Sequence, residues 1–183
     1  SMGSWLTYGL GTENKDLPGF IVLPDLSFPQ GGPANWSNGF LPASYQGTTL
    51  RPSGSPILDL KPVEGITAEH QRKNLDLLKK LNQRHLAKSQ QRDDLTARMS
   101  SYELAFRMQM QVPEILDLKQ ESQKTLQAYG VGMDPTDKFG RKCLLARRLA
   151  EAGVRYIEVS TGNKWDQHGN RKSGHQKNAL LTE

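Results

Sequence analysis

The chain has 183 residues, of which 36 % are apolar, with a mean hydropathy of −0.64 and a formal net charge of +5. That length holds one domain with a core of its own. The single cysteine, Cys143, excludes an internal disulfide, and the lack of a long apolar run excludes a membrane span.

The apolar residues cluster instead of spreading evenly. The first third is rich in Gly, Pro, Ser and Asn; the rest is charged and has helical periodicity, which excludes a disordered chain. No basic-then-apolar leader opens the sequence, so the export signal of a secreted protein is expected upstream. In chain order, residues 2–10 form a short helix with Trp5, Leu6 and Tyr8 as its large side chains. Residues 17–24 read as one short buried strand, introduced by Pro18-Gly19 and ended by Pro24. Gly31-Gly32-Pro33, Asn38-Gly39 and Gly54 punctuate residues 25–62 as a long loop. A loop of that length in a compact domain is usually functional, and Trp36, Phe40, Leu41 and Tyr45 within it need something to pack on.

Thr67 N-caps a helix expected over residues 68–88, with Leu75, Leu78, Leu81 and His85 repeating at three and four residues. After a polar break at 89–92, a second helix is expected over 93–111. Leu95, Met99, Tyr102, Phe106 and Met110 form its apolar stripe, and Pro113 stops it. The two pair as a hairpin or form one long bent helix. A short helix follows near 120–129, with Gly130 as its C-cap. Residues 138–152 are helical, Gly153 stops that helix, and Val154 to Val159 read as a strand. A helix, a glycine turn and an apolar, β-branched strand predict an α/β unit with a parallel sheet. The chain therefore divides into a loop-rich segment over 1–66, a helical segment over 67–130 and a helix–strand unit over 138–183. Cys143 falls on a helical stripe with Phe139, Ala146 and Ala150, where it reads as a small core residue.

The positive excess lies late: ten Lys or Arg residues stand between Lys138 and Lys177, against Glu151, Glu158 and Asp166. Such a segment suits an anionic partner or forms a solvated helix face. Ligands of open α/β sheets bind outside the carboxyl ends of the strands. The sequence places Asp166 and His168 there, at i and i+2, on one side of extended chain. A carboxylate and an imidazole held together suit a divalent cation such as zinc. They equally suit a turn in which Asp166 accepts from backbone amides. His175 lies within reach or on the surface, and His70 and His85 read as packing or surface residues on the first long helix.

Several blocks, in order along nearly the whole chain, resemble one family. They are the run from Ser1 to Asn14, Leu17-Pro18-Gly19-Phe20, Trp36-Ser37-Asn38-Gly39-Phe40-Leu41-Pro42 and Tyr45-Gln46-Gly47-Thr48. Ser101 to Gln109, Cys143 to Leu149 and Trp165-Asp166-Gln167-His168 complete the set. Together they resemble the domain-of-unknown-function family 1501, which is sulfatase-like within the alkaline-phosphatase superfamily. The resemblance implies a three-layer α/β/α sandwich around a mostly parallel sheet, here with a helical hairpin and a long N-terminal loop region. It implies export to the periplasm or the cell exterior. It also implies that Asp166 and His168 are ligands of a divalent metal, zinc or calcium. Family blocks of the Gly-Glu-Phe-Gly-Arg and Arg-Asp-His types, and the expected nucleophile region, are not in this sequence. The chain is therefore expected to be an interior piece, inactive alone, of a hydrolase of sulfate or phosphate esters.

The expected partner is an anionic small-molecule or polysaccharide ester, with Trp36 available to stack on a sugar. A non-catalytic secreted binding or surface protein of the same fold is the first alternative. A basic nucleic-acid-binding helical protein is the second, and nucleic acid is not expected as a partner because no recognition motif accompanies the charge.

Overall fold

The structure, a computed structural model, describes residues 1–26, 29–51, 57, 64–87, 92–161 and 165–182. Its centre is a three-stranded sheet of order β2-β1-β3, formed by Phe20–Leu23 (β1), Thr48–Thr49 (β2) and Tyr156–Val159 (β3). Both pairings are parallel, with Phe20 opposite Tyr156 and Leu23 opposite Val159. The middle strand β1 is buried on both faces, which is why Phe20-Ile21-Val22-Leu23 is an unbroken apolar run without polar alternation. Alternation of the backbone then divides that run between two cores. Ile21 and Leu23 pack with Leu17, Leu50, Met108, Val112, Leu145, Leu149 and Val154 on one face. Phe20 and Val22 pack with Trp36 and the half-buried Tyr156 on the other.

The sheet is parallel, as the helix–glycine–strand unit predicts, and helices lie against both of its faces. Over the larger core lie α3 (Arg92–Leu116) and α5 (Asp137–Glu151). Gly153, at φ 90°, ends α5 and leads into β3, and the Val154 amide donates to Leu149 O across this turn. On the other face α1 (Met2–Leu10) buries only small residues, Gly3, Ser4 and Thr7. A Cβ on Gly3 would lie 2.5 Å from the Tyr156 ring and 2.7 Å from that of Phe20, so glycine sets how closely this helix approaches the sheet. The two buried hydroxyls are satisfied: Ser4 donates to Ser37 O at 3.0 Å and Thr7 to Gly3 O at 2.8 Å. The large residues of α1 face outward, with Trp5 edge-on to Tyr8 and Tyr8 edge-on to Tyr45.

The helical segment departs from expectation in three respects. α2 (Ala68–Leu86) starts where Thr67 predicts, with the Thr67 hydroxyl accepting from the His70 amide. Its leucine stripe, however, is not core: no residue of α2 is buried, and Leu78 and Leu81 are exposed. α2 is held to α3 instead by the Arg72 guanidinium, which forks onto both carboxylate oxygens of Glu103 at 2.8 and 2.7 Å and lies over the Phe106 ring. The stripe read from Leu95 to Met110 is likewise not the face α3 turns to the sheet. That face carries Ala97, Leu104, Met108 and Val112, and Met110 is three-quarters exposed.

Pro113 does not stop α3, which runs one further turn to Leu116. Arg148 of α5 explains the extra turn. Its guanidinium donates to Glu114 O and Ile115 O, each at 2.7 Å; Ile115 O is one of the carbonyls a helix end leaves unpaired, and Glu114 O also accepts from the Asp117 amide at 3.3 Å. Residues 25–51, expected as plain loop, contain 3₁₀ turns at Gly32–Trp36 and Ala43–Tyr45 as well as β2. The rest of that loop, residues 52–56 and 58–62 with Gly54, lies outside the described residues. α4 (Gln123–Ala128) and α6 (Arg171–Ala179) complete the fold. Gly130 follows α4 at φ 64°, as its place after the short helix predicts. Among the described residues no helix is long and apolar enough to cross a membrane.

Candidate functional site

The three parallel strands end on one side of the sheet, and a cleft of about 790 Å³ opens there. Leu23, Pro24 and Asp25 reach it from β1, and Leu50 and Arg51 from the end of β2. The helix order explains the remaining wall. α5 joins the start of β3 through Gly153, so α5 runs back along the sheet and its first turns stand at the carboxyl ends. Lys138, Arg141 and Lys142, at i, i+3 and i+4, therefore line one wall. Lys119 comes from the 3₁₀ turn Leu118–Gln120, which the Asp117 side chain caps by accepting from the Lys119 amide.

The cleft has an apolar floor and a basic rim. Leu50, Leu116, Leu126, Val131 and Leu145 form much of the floor. Two rim cations are committed to structure: Arg141 donates to Asp137 at 2.8 Å, and Lys142 donates to Ser160 O. Asp137 also accepts from the Gly132 amide at 2.6 Å, and Arg141, followed by that amide, holds its carboxyl below the ordinary range. The side chains of Arg51, Lys119 and Lys138 make no hydrogen bond or ion pair with any described residue. A small cavity of about 20 Å³ adjoins the cleft, shares Asp25, Lys138 and Lys142 with it, and is walled by Thr161, Trp165 and Asn178.

Asp166 and His168 follow Trp165 directly. The Asp166 carboxylate lies 3.3 Å from His168 Nε2, with Asp166 half exposed and His168 almost fully exposed. The sequence-level pairing of the two side chains is therefore present. Two ligand bonds of about 2.1 Å at a tetrahedral angle separate their donor atoms by about 3.4 Å, so the pair fits zinc in donor type and in bite. It falls short in number, because among the described residues no group of three or more His, Cys, Asp or Glu side chains gathers. His175 does not join the pair; its ring packs on Trp165 at 5.8 Å between centroids. Gly162, Asn163 and Lys164, between β3 and Trp165, lie outside the described residues.

Trp36 has a different role from the one its loop position suggested. It is only 3 % exposed and packs against Phe20 and Val22, so its ring has no free face on which a sugar could stack. His70 and His85 are both exposed on α2. Cys143 is half-buried, and burial pushes its thiol pKa up, away from the thiolate that a nucleophile requires. Sequence reasoning missed the cleft itself. Arg51, Lys119 and Lys138 come from three separate segments, and only the charge excess after Lys138 hinted at them.

No curated protein and no solved structure matches this chain. The family model described as protein of unknown function (DUF1501) matches residues 1–183, and the chain belongs to that family.

Proposed function

We propose that the chain forms part of a metal-dependent hydrolase of sulfate or phosphate esters, exported to the periplasm or cell exterior, within a sandwich of the alkaline-phosphatase type. The observation that supports this reading is the Asp166–His168 pair, 3.3 Å apart, on the segment that follows the parallel strand β3. An imidazole among the donors favours zinc over calcium, which takes oxygen ligands. Bound there, the ion supplies Lewis-acid polarisation of the ester. Asp166 and His168 hold and orient it, and the remaining ligands and the nucleophile come from outside the described residues. The cations of the neighbouring cleft stabilise the negative charge that gathers on the transferred group.

The test is the metal content of the natural full-length protein, as purified and as the Asp166→Ala and His168→Ala variants. The expected result is near-stoichiometric zinc that falls at least several-fold in both variants, together with release of sulfate or phosphate from an ester panel. Metal content indifferent to both changes makes the Trp165 to His168 segment a structural turn. It leaves the non-catalytic binding protein as the reading.

A further inference from the structure

The cleft at the strand ends combines two features that an inorganic anion does not need together. Its floor is leucine and valine from five segments of the chain, and its rim holds three cations, Arg51, Lys119 and Lys138, whose side chains make no hydrogen bond or ion pair with a described residue. Surface lysines alone are ordinary. Here they surround an apolar floor. The lining also carries Asp25, Asp117 and Asp137, of which Asp137 is paired with Arg141 while Asp25 and Asp117 accept from the Leu26 and Lys119 amides, so the five lining cations outnumber three carboxylates. Excess positive charge over an apolar surface is complementary to a molecule with an anionic head and an apolar body. The volume of about 790 Å³ falls within the roughly 300–1,000 Å³ of pockets that enclose one small molecule, which fits a single-chain or aryl compound and not a bilayer.

We propose that this cleft binds amphiphilic oxyanions, namely alkyl or aryl sulfates and phosphates. The tetrahedral head lies among Arg51, Lys119 and Lys138, and the chain lies along Leu50, Leu116, Leu126 and Leu145. Binding stands on the cleft alone. Only the step from ligand to substrate rests on the hydrolase reading, whose Asp166–His168 pair follows Trp165, a wall residue of the small adjoining cavity. The substrate class would then be esters of hydrophobic alcohols or phenols, not of polysaccharides.

Calorimetric titration of the full-length protein with ethyl, butyl, hexyl and octyl sulfate, each below its micelle concentration, tests the assignment. Inorganic sulfate and octyl glucoside serve as the head-only and chain-only probes. The expected affinity rises roughly tenfold for each two methylenes added until the floor is filled, and octyl phosphate follows octyl sulfate. Replacing Lys119 and Lys138 together by Gln should weaken octyl sulfate about tenfold and leave octyl glucoside unchanged. Leu126→Ala, which leaves the rim intact, should flatten the chain-length slope. Octyl sulfate binding no tighter than inorganic sulfate, or no tighter than octyl glucoside, overturns the proposal. Chain-length-dependent binding without any ester turnover rejects the hydrolase reading alone. Turnover with Kd and KM both indifferent to chain length rejects this proposal alone.

Discussion

Arg148 offers the sharpest test of how the helices are fixed over the sheet. Its guanidinium donates to Glu114 O and Ile115 O at 2.7 Å each and to the Glu121 carboxylate at 2.6 Å, and the two charged side chains are only 14 % and 18 % exposed. Arg148→Met keeps much of the side-chain length and removes every donor. Ile115 O and the Glu121 carboxylate then lose the Arg148 donor, and Glu114 O keeps only the Asp117 amide, at 3.3 Å. Breaking a fully buried pair costs about 3–5 kcal/mol. Here the residual exposure lets water reach some of the orphaned atoms, so about 2–4 kcal/mol is expected. For a chain of this size that lowers Tm by roughly 4–16 °C.

Urea and thermal unfolding of the full-length protein, followed by circular dichroism, measure the loss. Arg148→Lys should recover only part of it, because an ammonium cannot fork onto two carbonyls and a carboxylate at once. In a double-mutant cycle with Glu121→Gln, a coupling of about 1 kcal/mol or more is expected. An Arg148→Met variant within about 0.5 kcal/mol of the parent, the range of an ordinary surface change, would refute the idea that this residue carries α3 past Pro113.

Two further outcomes follow from the packing. Trp36→Ala should cost about 3–5 kcal/mol of stability through the cavity it opens beside Phe20 and Val22; a fully stable variant with weakened ligand affinity would restore Trp36 to the binding surface. Arg72, hydrogen-bonded to Glu103, holds that carboxyl below its usual 4.5. A carboxyl depressed in the folded state contributes stability above its unfolded value, and the contribution is lost as pH falls below 4.5 through the lower folded value. Urea titrations between about pH 6 and pH 3 should therefore show a shallower acid limb for Glu103→Gln than for the parent; equal slopes would remove the Arg72–Glu103 pair as a contributor.

Local signals in the sequence located most elements, and tertiary geometry decided which faces they use. The unbroken run Phe20 to Leu23, the cap at Thr67 and the glycine stop at Gly153 each act within a few residues, so they mark β1, α2 and the α5–β3 turn directly. β2 is two residues long and pairs with β1 across a loop, which leaves no periodic signal to read. α3 carries apolar residues on more than one face, so its sequence could not say that Met108 and Val112 meet the sheet while Met110 faces solvent. Pro113 predicts a helix end correctly for an isolated segment. The override comes from Arg148, 35 positions downstream, and no local rule anticipates it. The candidate site shows the same division: the closeness of Asp166 and His168 was legible because both lie on one short segment, whereas the cleft depends on assembly.

The first turns of α5 connect that assembly to function. A helix N-terminus carries partial positive charge and prefers acidic neighbours, each like-charge placement costing about 0.3–1 kcal/mol. Asp137 follows the preference, but Lys138 opposes it in the first turn, and Arg141 and Lys142 follow in the second. The opposition is also selective. Arg141 neutralises Asp137 and Lys142 is tied to Ser160 O, so Lys138 remains to add to the helix dipole instead of cancelling it. Because α5 joins the start of β3 through the Gly153 turn, this end of the helix stands at the carboxyl ends of the strands, and its cations line the same cleft as Arg51 and Lys119. Basic side chains thus gather where backbone topology opens the cleft proposed to bind oxyanions, at a small cost to the helix that frames it. Departures from local preference that coincide with a cleft are the pattern expected of a binding site rather than of a solvated face.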